Sequence, residues 1–185
     1  FILKNCPIKP LHAFVEANLS GDKKACAISF STVRGKKVTA EILLPEALIK
    51  KGLHTTAKQM EEYWRMSALG GIQSGSIGIQ GHFANGLAAL YIACGQDAAC
   101  VSESAVGVTR MECIGDDLYA SVTMPNIIVG TVGGGTGLPT QRACLDILGL
   151  AGSGKARAFA ELTAALCLGG ELSIIGALTA GHFTH

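Results

Sequence analysis

A chain of 185 residues is long enough for one sizeable core, or for one domain and the remnant of another. Apolar residues make up 49% and charged residues 16%, with a formal charge of +1, so there is no electrostatic case for nucleic acid or an acidic membrane surface. So few charges on so apolar a chain point to burial against a partner subunit.

The first stretch, Phe1 to Asn18, is punctuated by Pro7 and Pro10 and reads as the tail of something begun earlier; the absence of an initiating Met marks a fragment. The charge triplet Asp22-Lys23-Lys24 then runs straight into apolar residues. It fits either a cap on a buried strand or a charged loop aimed at an anionic ligand. Ala25 to Thr32 is a predicted strand, Arg34 to Lys37 a turn and Val38 to Leu44 a second strand, together a hairpin. Pro45 opens a short helix to Lys51, and Thr55 or Thr56 caps a longer one through Met66.

Gly70 to Gly81 is a glycine- and serine-rich crossing. His82 to Ala99 has helical spacing, with Leu87, Leu90, Tyr91 and Cys94 on one face. Ala105 to Cys113, Leu118 to Met124 and Ile127 to Val132 read as strands, the last ending in the loop Gly133-Gly134-Gly135-Thr136-Gly137. Pro139 to Leu148 is helical, and Lys155 to Ala180 is a long helix whose glycines at 169, 170 and 176 mark close packing. Two stretches carry no charge, Met66 to Gln96 and Leu118 to Gln141, but polar and turn residues interrupt both, so neither spans a membrane. The seven cysteines include no CxxC pair and no zinc spacing with histidine. They read as mostly buried small hydrophobes in a reducing compartment, the cytoplasm.

Gly149 to Lys155 has the glycine and lysine spacing of a phosphate-binding loop, but Ala156 stands where that motif needs Ser or Thr, and the segment follows a helix. A helix–turn–helix connection is the plainer reading. The loop at Gly133 to Gly137 fits no dinucleotide fingerprint, yet it can present backbone N–H groups to a phosphate ahead of the Pro139 helix. A tight strand–helix turn explains it equally.

Asp97 sits in "YIACGQDAAC", among apolar and small residues where an ionised carboxylate is costly unless paired. Alone it reads as a helix-end carboxylate in a salt bridge. His182, after a glycine at a helix end, alone reads as a cap, and Lys23 alone as a surface lysine. Together they offer more. A lysine held charged by a carboxylate can stabilise an oxyanion, and a histidine titrating near neutrality can protonate a leaving thiolate. Those are the parts for reducing a thioester, although spacing alone does not name a substrate.

The motifs "GDKKACAISF…RGKKV", "SGSIG", "HFANGLAALYIACGQDAA", "DDLYASVTMPNIIVGTVGGGTGLPTQRACLDILG" and "GELSIIGALTAGH" resemble, in order, the catalytic portion of the 3-hydroxy-3-methylglutaryl-CoA reductase family, in its biosynthetic, eukaryote-like class I form. The HNKG motif of the degradative class is missing. The resemblance covers nearly the whole chain from Asn18. It implies an α+β fold: a helix-rich, substrate-binding large domain from residue 20 onward, with residues 1–19 as the end of a small inserted NADP-binding domain.

By motif, the resemblance makes Lys23, Asp97 and His182 catalytic. Lys23 would stabilise the oxyanions, Asp97 would set the charge of Lys23, and His182 would protonate the CoA thiolate. Asp22, Lys24, Asn85 and His82 would meet the substrate, Lys24 at its carboxylate end and His82 near the thioester. Gly133, Gly134, Gly135, Thr136 and Arg34 would lie on the NADPH side. The implied reaction is a four-electron reduction to mevalonate and CoA using two NADPH, in a homo-oligomer, at least a dimer, with its active site at a subunit interface. No membrane contact, nucleic acid or metal is expected of this fragment, and an upstream membrane anchor stays open. A further catalytic Glu in an ENxxG motif and a DAMGMN cofactor motif are expected upstream, so these residues alone are expected to be inactive. Met66, beside Arg65, falls where the family has a basic carboxylate-binding residue. The alternatives are a non-catalytic acyl-CoA-binding module and a structural fragment.

Overall fold

The computed structural model describes residues 1–14, 20–31 and 34–182. After a single helical turn, α1 (Ile2–Asn5), residues 1–14 lie exposed. The second described stretch holds another turn of helix, α2 (Ile28–Ser31), and here the expected strand over Ala25–Thr32 is not found. Its amides bond locally instead, Ser29 N–H to the Cys26 carbonyl and Phe30 N–H to that of Ala27. Thr32, the end of that expected strand, lies outside the described residues, and among the described ones the expected hairpin is absent.

Strand β1 (Lys36–Leu44) takes a distant partner. After a short helix α3 (Glu46–Leu48) and a π turn over Ile49–Leu53 comes α4 (Ala57–Ser74). Thr56 caps α4, its hydroxyl accepting the Gln59 N–H, and Gly75 at φ +73° closes it. The helix therefore runs eight residues beyond Met66, through Gly70 and Gly71, which were read as loop. Helix α5 (Phe83–Ala93) follows, then a 3₁₀ turn over Ala98–Cys100 that continues into α6 (Val101–Ser104). Strands β2 (Val108–Ile114) and β3 (Asp117–Ile127) form a hairpin about Gly115. Helices α7 (Pro139–Ile147) and α8 (Ala156–Thr179) complete the described chain.

The sheet is antiparallel in the order β1-β3-β2. Two expected strands, Leu118–Met124 and Ile127–Val132, are corrected to a single β3 that ends at Ile127. Pro125 sits where the register shifts: Val38 pairs with Met124 but Lys36 with Ile127. A residue without an N–H is tolerated at such an irregularity.

Leu118, Ala120, Val122 and Met124 of β3 are fully buried, and α8 packs over β1 and β3 while α4 packs on β2. The Trp64 indole N–H donates to the Thr109 carbonyl at 2.6 Å, tying α4 to β2. Helix α8 is long and apolar enough to cross a bilayer. Here it is the central core helix, with Phe159, Ala160, Ala164 and Cys167 fully buried and Glu171 1% exposed. Three of the seven cysteines, 94, 100 and 167, are buried, and all seven are free thiols. Lys155 Nζ donates to the Gly149 carbonyl, so the loop of phosphate-binding appearance is a self-bonded connection between α7 and α8.

Candidate active site

The loop ahead of β1 carries Lys23, and the turn after α5 carries Asp97; their side chains meet, Lys23 Nζ to Asp97 Oδ2, at 2.8 Å. The other carboxylate oxygen of Asp97 accepts the Ala99 N–H at 3.0 Å, an N-cap that fixes the carboxylate on the 3₁₀ turn. The hydrogen bond and charge of Asp97 hold the Lys23 amine above its ordinary pKa. The reciprocal bond from Lys23, helped by the Ala99 amide, holds Asp97 below its own. Both side chains are about half exposed, 46% and 49%, so the expectation of a buried Asp97 is corrected. A cation fixed at a solvent-facing carboxylate can reach a substrate carbonyl.

Beneath the pair lies a residue that sequence reasoning missed. Glu103 on α6 is 1% exposed, and both of its oxygens are occupied. Oε2 accepts from Arg34 Nε at 2.7 Å and from Asn126 Nδ2 at 3.1 Å. Oε1 accepts from the second Arg34 nitrogen at 2.8 Å and from the Lys23 backbone N–H at 3.3 Å. Burial raises the Glu103 pKa, but these donors and the Arg34 charge outweigh it and leave it lowered. Arg34 also pairs with Asp22. The resemblance put Arg34 on the cofactor side, yet in this chain its guanidinium is committed to two carboxylates. Lys24 turns its amine back to the Asp22 carbonyl at 3.2 Å. The signal for Glu103 was available: "VSESAVGV" raises the same question of an acid among apolar residues that drew attention to Asp97.

The glycine loop borders the same turn. A 3₁₀ turn over Gly134–Gly137 packs so closely that a Cβ at Gly95 would stand 2.4 Å from the Gly135 carbonyl oxygen. Gln96, next to Asp97, ties the two together, its side-chain oxygen accepting the Gly130 N–H at 2.8 Å. Thr136 is buried and donates to the Gly133 carbonyl. Apart from the neighbouring chain itself, no atom of the described residues lies within 4 Å of where a Cβ would sit on Gly133, Gly134 or Gly137. That bare backbone leaves room for a cofactor phosphate or ribose to approach, which is the fit a dinucleotide needs.

His82 and Asn85 lie at the opposite end of α5. His82 precedes the helix, and its N–H and that of Gly81 both donate to Glu171 Oε1, at 2.6 and 2.8 Å. Its ring sits against Gly170, with Nδ1 buried and, among the described residues, unpartnered. Asn85 is exposed. Helix α5 runs antiparallel to α8, because Gly81 faces Ile174 whereas Gly86 faces Leu166. His182, beyond the end of α8, therefore lies away from Asp97, with its ring 5.7 Å from that of His54. One helix length on either side of Glu171 separates them, roughly 30 Å at 1.5 Å per residue. Thr179 and Met66 share a groove at the His182 end, about 570 Å³ in volume.

The described residues thus place the Lys23–Asp97 pair and the Gly133–Thr136 loop at one end of the α5–α8 pair, and His182 and the Met66 groove at the other. Comparison with known proteins gives the arrangement a context. The family model for hydroxymethylglutaryl-coenzyme A reductase matches residues 1–185. Proteins named 3-hydroxy-3-methylglutaryl-coenzyme A reductase are similar to this chain: that of Methanocaldococcus jannaschii is 43% identical over 169 residues, 91% of this chain and 42% of its own length. The Pyrococcus horikoshii protein is 44% identical over 176 residues, again 91% and 42%, and the Halobacterium salinarum protein 44% over 170, 89% and 42%. The chain spans about two-fifths of the length of these relatives. The matched length includes the Lys23 loop, the Asp97 turn, the glycine loop and His182, and on that extent of agreement the chain belongs to the hydroxymethylglutaryl-coenzyme A reductase family.

Proposed function

We propose that the protein to which this chain belongs reduces 3-hydroxy-3-methylglutaryl-CoA to mevalonate and CoA, with NADPH as reductant. The single observation that carries the reading is the 2.8 Å Lys23–Asp97 pair beside a glycine loop of bare backbone. Each NADPH, when bound, supplies one hydride. Lys23, kept protonated by Asp97, stabilises the negative charge that develops on the carbonyl oxygen at each of the two reductions and can pass a proton to it. The carbon–sulfur bond breaks between them: the hemithioacetal collapses to the aldehyde, and CoA leaves as a thiolate that His182 protonates. Asp22 and Lys24 flank the catalytic amine, with Lys24 meeting the substrate carboxylate. Gly133, Gly134, Gly135 and Thr136 border the cofactor, and His82 and Asn85 meet the substrate.

With the Lys23–Asp97 pair and His182 read as two halves of one site, roughly 30 Å apart along antiparallel helices, this reading has a second copy of the chain bring its His182 to the pair. That requirement supports a homo-oligomer, at least a dimer, with the site at the interface. Residues 1–19 are read as the end of the small cofactor domain and residues 20–185 as the large domain.

The test is nucleotide consumption by the full-length protein with this CoA ester, NADPH against NADH. Loss of both reductive steps in Lys23→Ala is expected, and substantial turnover in that variant removes Lys23 from its role. His182→Gln should impair the CoA ester more than free mevaldehyde; equal loss on both would count against its role.

A further inference from the structure

Lys23 has a backbone φ of +57°, in the left-handed region that residues with a side chain rarely occupy. Such a conformation persists only where its surroundings dictate it. Two groups do so, and both come from one continuous helical segment, the 3₁₀ turn at Ala98–Cys100 running into α6. Asp97, at the start, receives the amine at 2.8 Å; Glu103, at the end, receives the backbone N–H at 3.3 Å.

Glu103 holds the far side of the loop as well. Its two bonds to Arg34, at 2.7 and 2.8 Å, form a fork, and Arg34 reaches on to Asp22, the neighbour of Lys23. Asn126, which donates to Glu103, accepts the Gly35 N–H at 2.7 Å. A plain charge-neutralising pair would need only the fork. Among the described residues, every other donor to this carboxylate comes from Lys23 itself or from the β3 residue that anchors the end of the same loop. A buried ion pair is a poor source of stability, and an apolar pair of like volume serves at least as well. What an apolar pair cannot do is hold the Lys23 amide.

We infer that Glu103 is a positioning residue, which through the Lys23 amide and Arg34 sets the backbone geometry that aims the Lys23 amine at Asp97. The consequence for catalysis rests on the reading of Lys23 given above; the positional claim does not.

The experiment uses the full-length protein and the variants Glu103→Gln and Arg34→Lys. The first removes the charge and one acceptor, and the second keeps the charge but loses the fork. Lys23 reactivity is read by reductive methylation and mass spectrometry, with the exposed Lys37 as the internal reference. Among the described residues, the amine contacts Asp97, and Asp22 and Cys100 also act on its charge. Released from Asp97, the amine should label at least about threefold faster in both variants, since a lowered pKa raises the fraction of free amine. Turnover should fall about 10- to 100-fold at nearly constant KM, as for a misplacement of about 1 Å in a reacting group. Lys23 labelling unchanged from the parent in both variants overturns the inference. Faster labelling with full turnover leaves the positional role standing and removes Lys23 from catalysis instead. If Glu103→Gln does not fold, Arg34→Lys decides alone, because that side chain is 38% exposed and its replacement leaves the core intact.

Discussion

Gly95 and Gly135 meet backbone to backbone, so the turn that presents Asp97 and the loop assigned to the cofactor form one unit. Gly95 has φ +67°, and a Cβ there would also stand 2.8 Å from the Thr136 nitrogen. A neighbour that is backbone cannot swing away as a flexible side chain can. Gly95→Ala in the full-length protein should therefore cost about 1–3 kcal/mol from the strained conformation and the contact together. Denaturant titration reads that loss. The same variant should weaken NADPH, through its KM, more than the CoA ester. An unchanged nucleotide KM would separate the loop from the cofactor.

How much of this was legible beforehand follows from where the determining contacts lie. Helix α8 and the β2–β3 hairpin were readable because their periodicity and turn residues are local. Lys23 and Asp97 were found through the motifs that contain them, and each motif is continuous in sequence. Glu103 was missed because its meaning resides in Arg34, 69 residues away, and in Asn126, 23 away. The strand expected over Ala25–Thr32 failed for a related reason. Its apolar run is compatible with either state, and its amides close local turns onto the Cys26 and Ala27 carbonyls instead of pairing with the edge of β1. The end of α4 was read short because glycines at 70 and 71 argue against a helix, whereas the packing of α4 on β2 and α8 carries it to Ser74.

The Lys23–Asp97 pair sets a pH window. Lys23 is raised above an ordinary 10.5, so its share of the pairing is complete below 10.5 and is lost as pH rises through the higher folded value. Asp97 is lowered below an ordinary 3.8, so its share is complete above 3.8 and is lost as pH falls through the lower folded value. Both groups stay charged across the neutral range, and turnover limited by them should be flat there. In Asp97→Asn the amine loses the partner that raises it, and the alkaline limb of the turnover profile should move to lower pH. The thermal midpoint should change little, because half-exposed ion pairs add little stability. An alkaline limb that stays in place would dissociate Asp97 from the charge state of Lys23.

Glu171 makes a second buried carboxylate with a positional task. Its Oε1 takes the Gly81 and His82 N–H groups at the entry to α5, while Oε2 is buried without a partner among the described residues. Removing the acceptor strands two amides, so Glu171→Ala should cost about 1–3 kcal/mol or more. Glu171→Gln retains an oxygen for those amides and should cost clearly less. Equal losses in the two variants, measured by denaturant titration, would mean that the charge and not the capping geometry is what matters.

The neighbouring glycines 169 and 170 of α8 give an internal comparison for the placement of His82. A Cβ at Gly170 would stand 1.9 Å from His82 Nδ1 and 2.4 Å from its Cγ, so the histidine ring occupies the space a side chain would fill. A Cβ at Gly169 meets nothing within 4 Å. Gly169→Ala should then stabilise the protein by about 0.5–1 kcal/mol, the usual gain from replacing glycine within a helix. Gly170→Ala has the same helix gain available but must expel the His82 ring, so its net effect should be destabilising. The ring is held by its own backbone bond to Glu171, which leaves rotation about the side-chain torsions as the only escape. If His82 contacts the CoA ester, Gly170→Ala should raise the KM for that ester, while Gly169→Ala leaves it unchanged. Matching effects of the two substitutions on both stability and KM would show that the socket at Gly170 does not control the histidine.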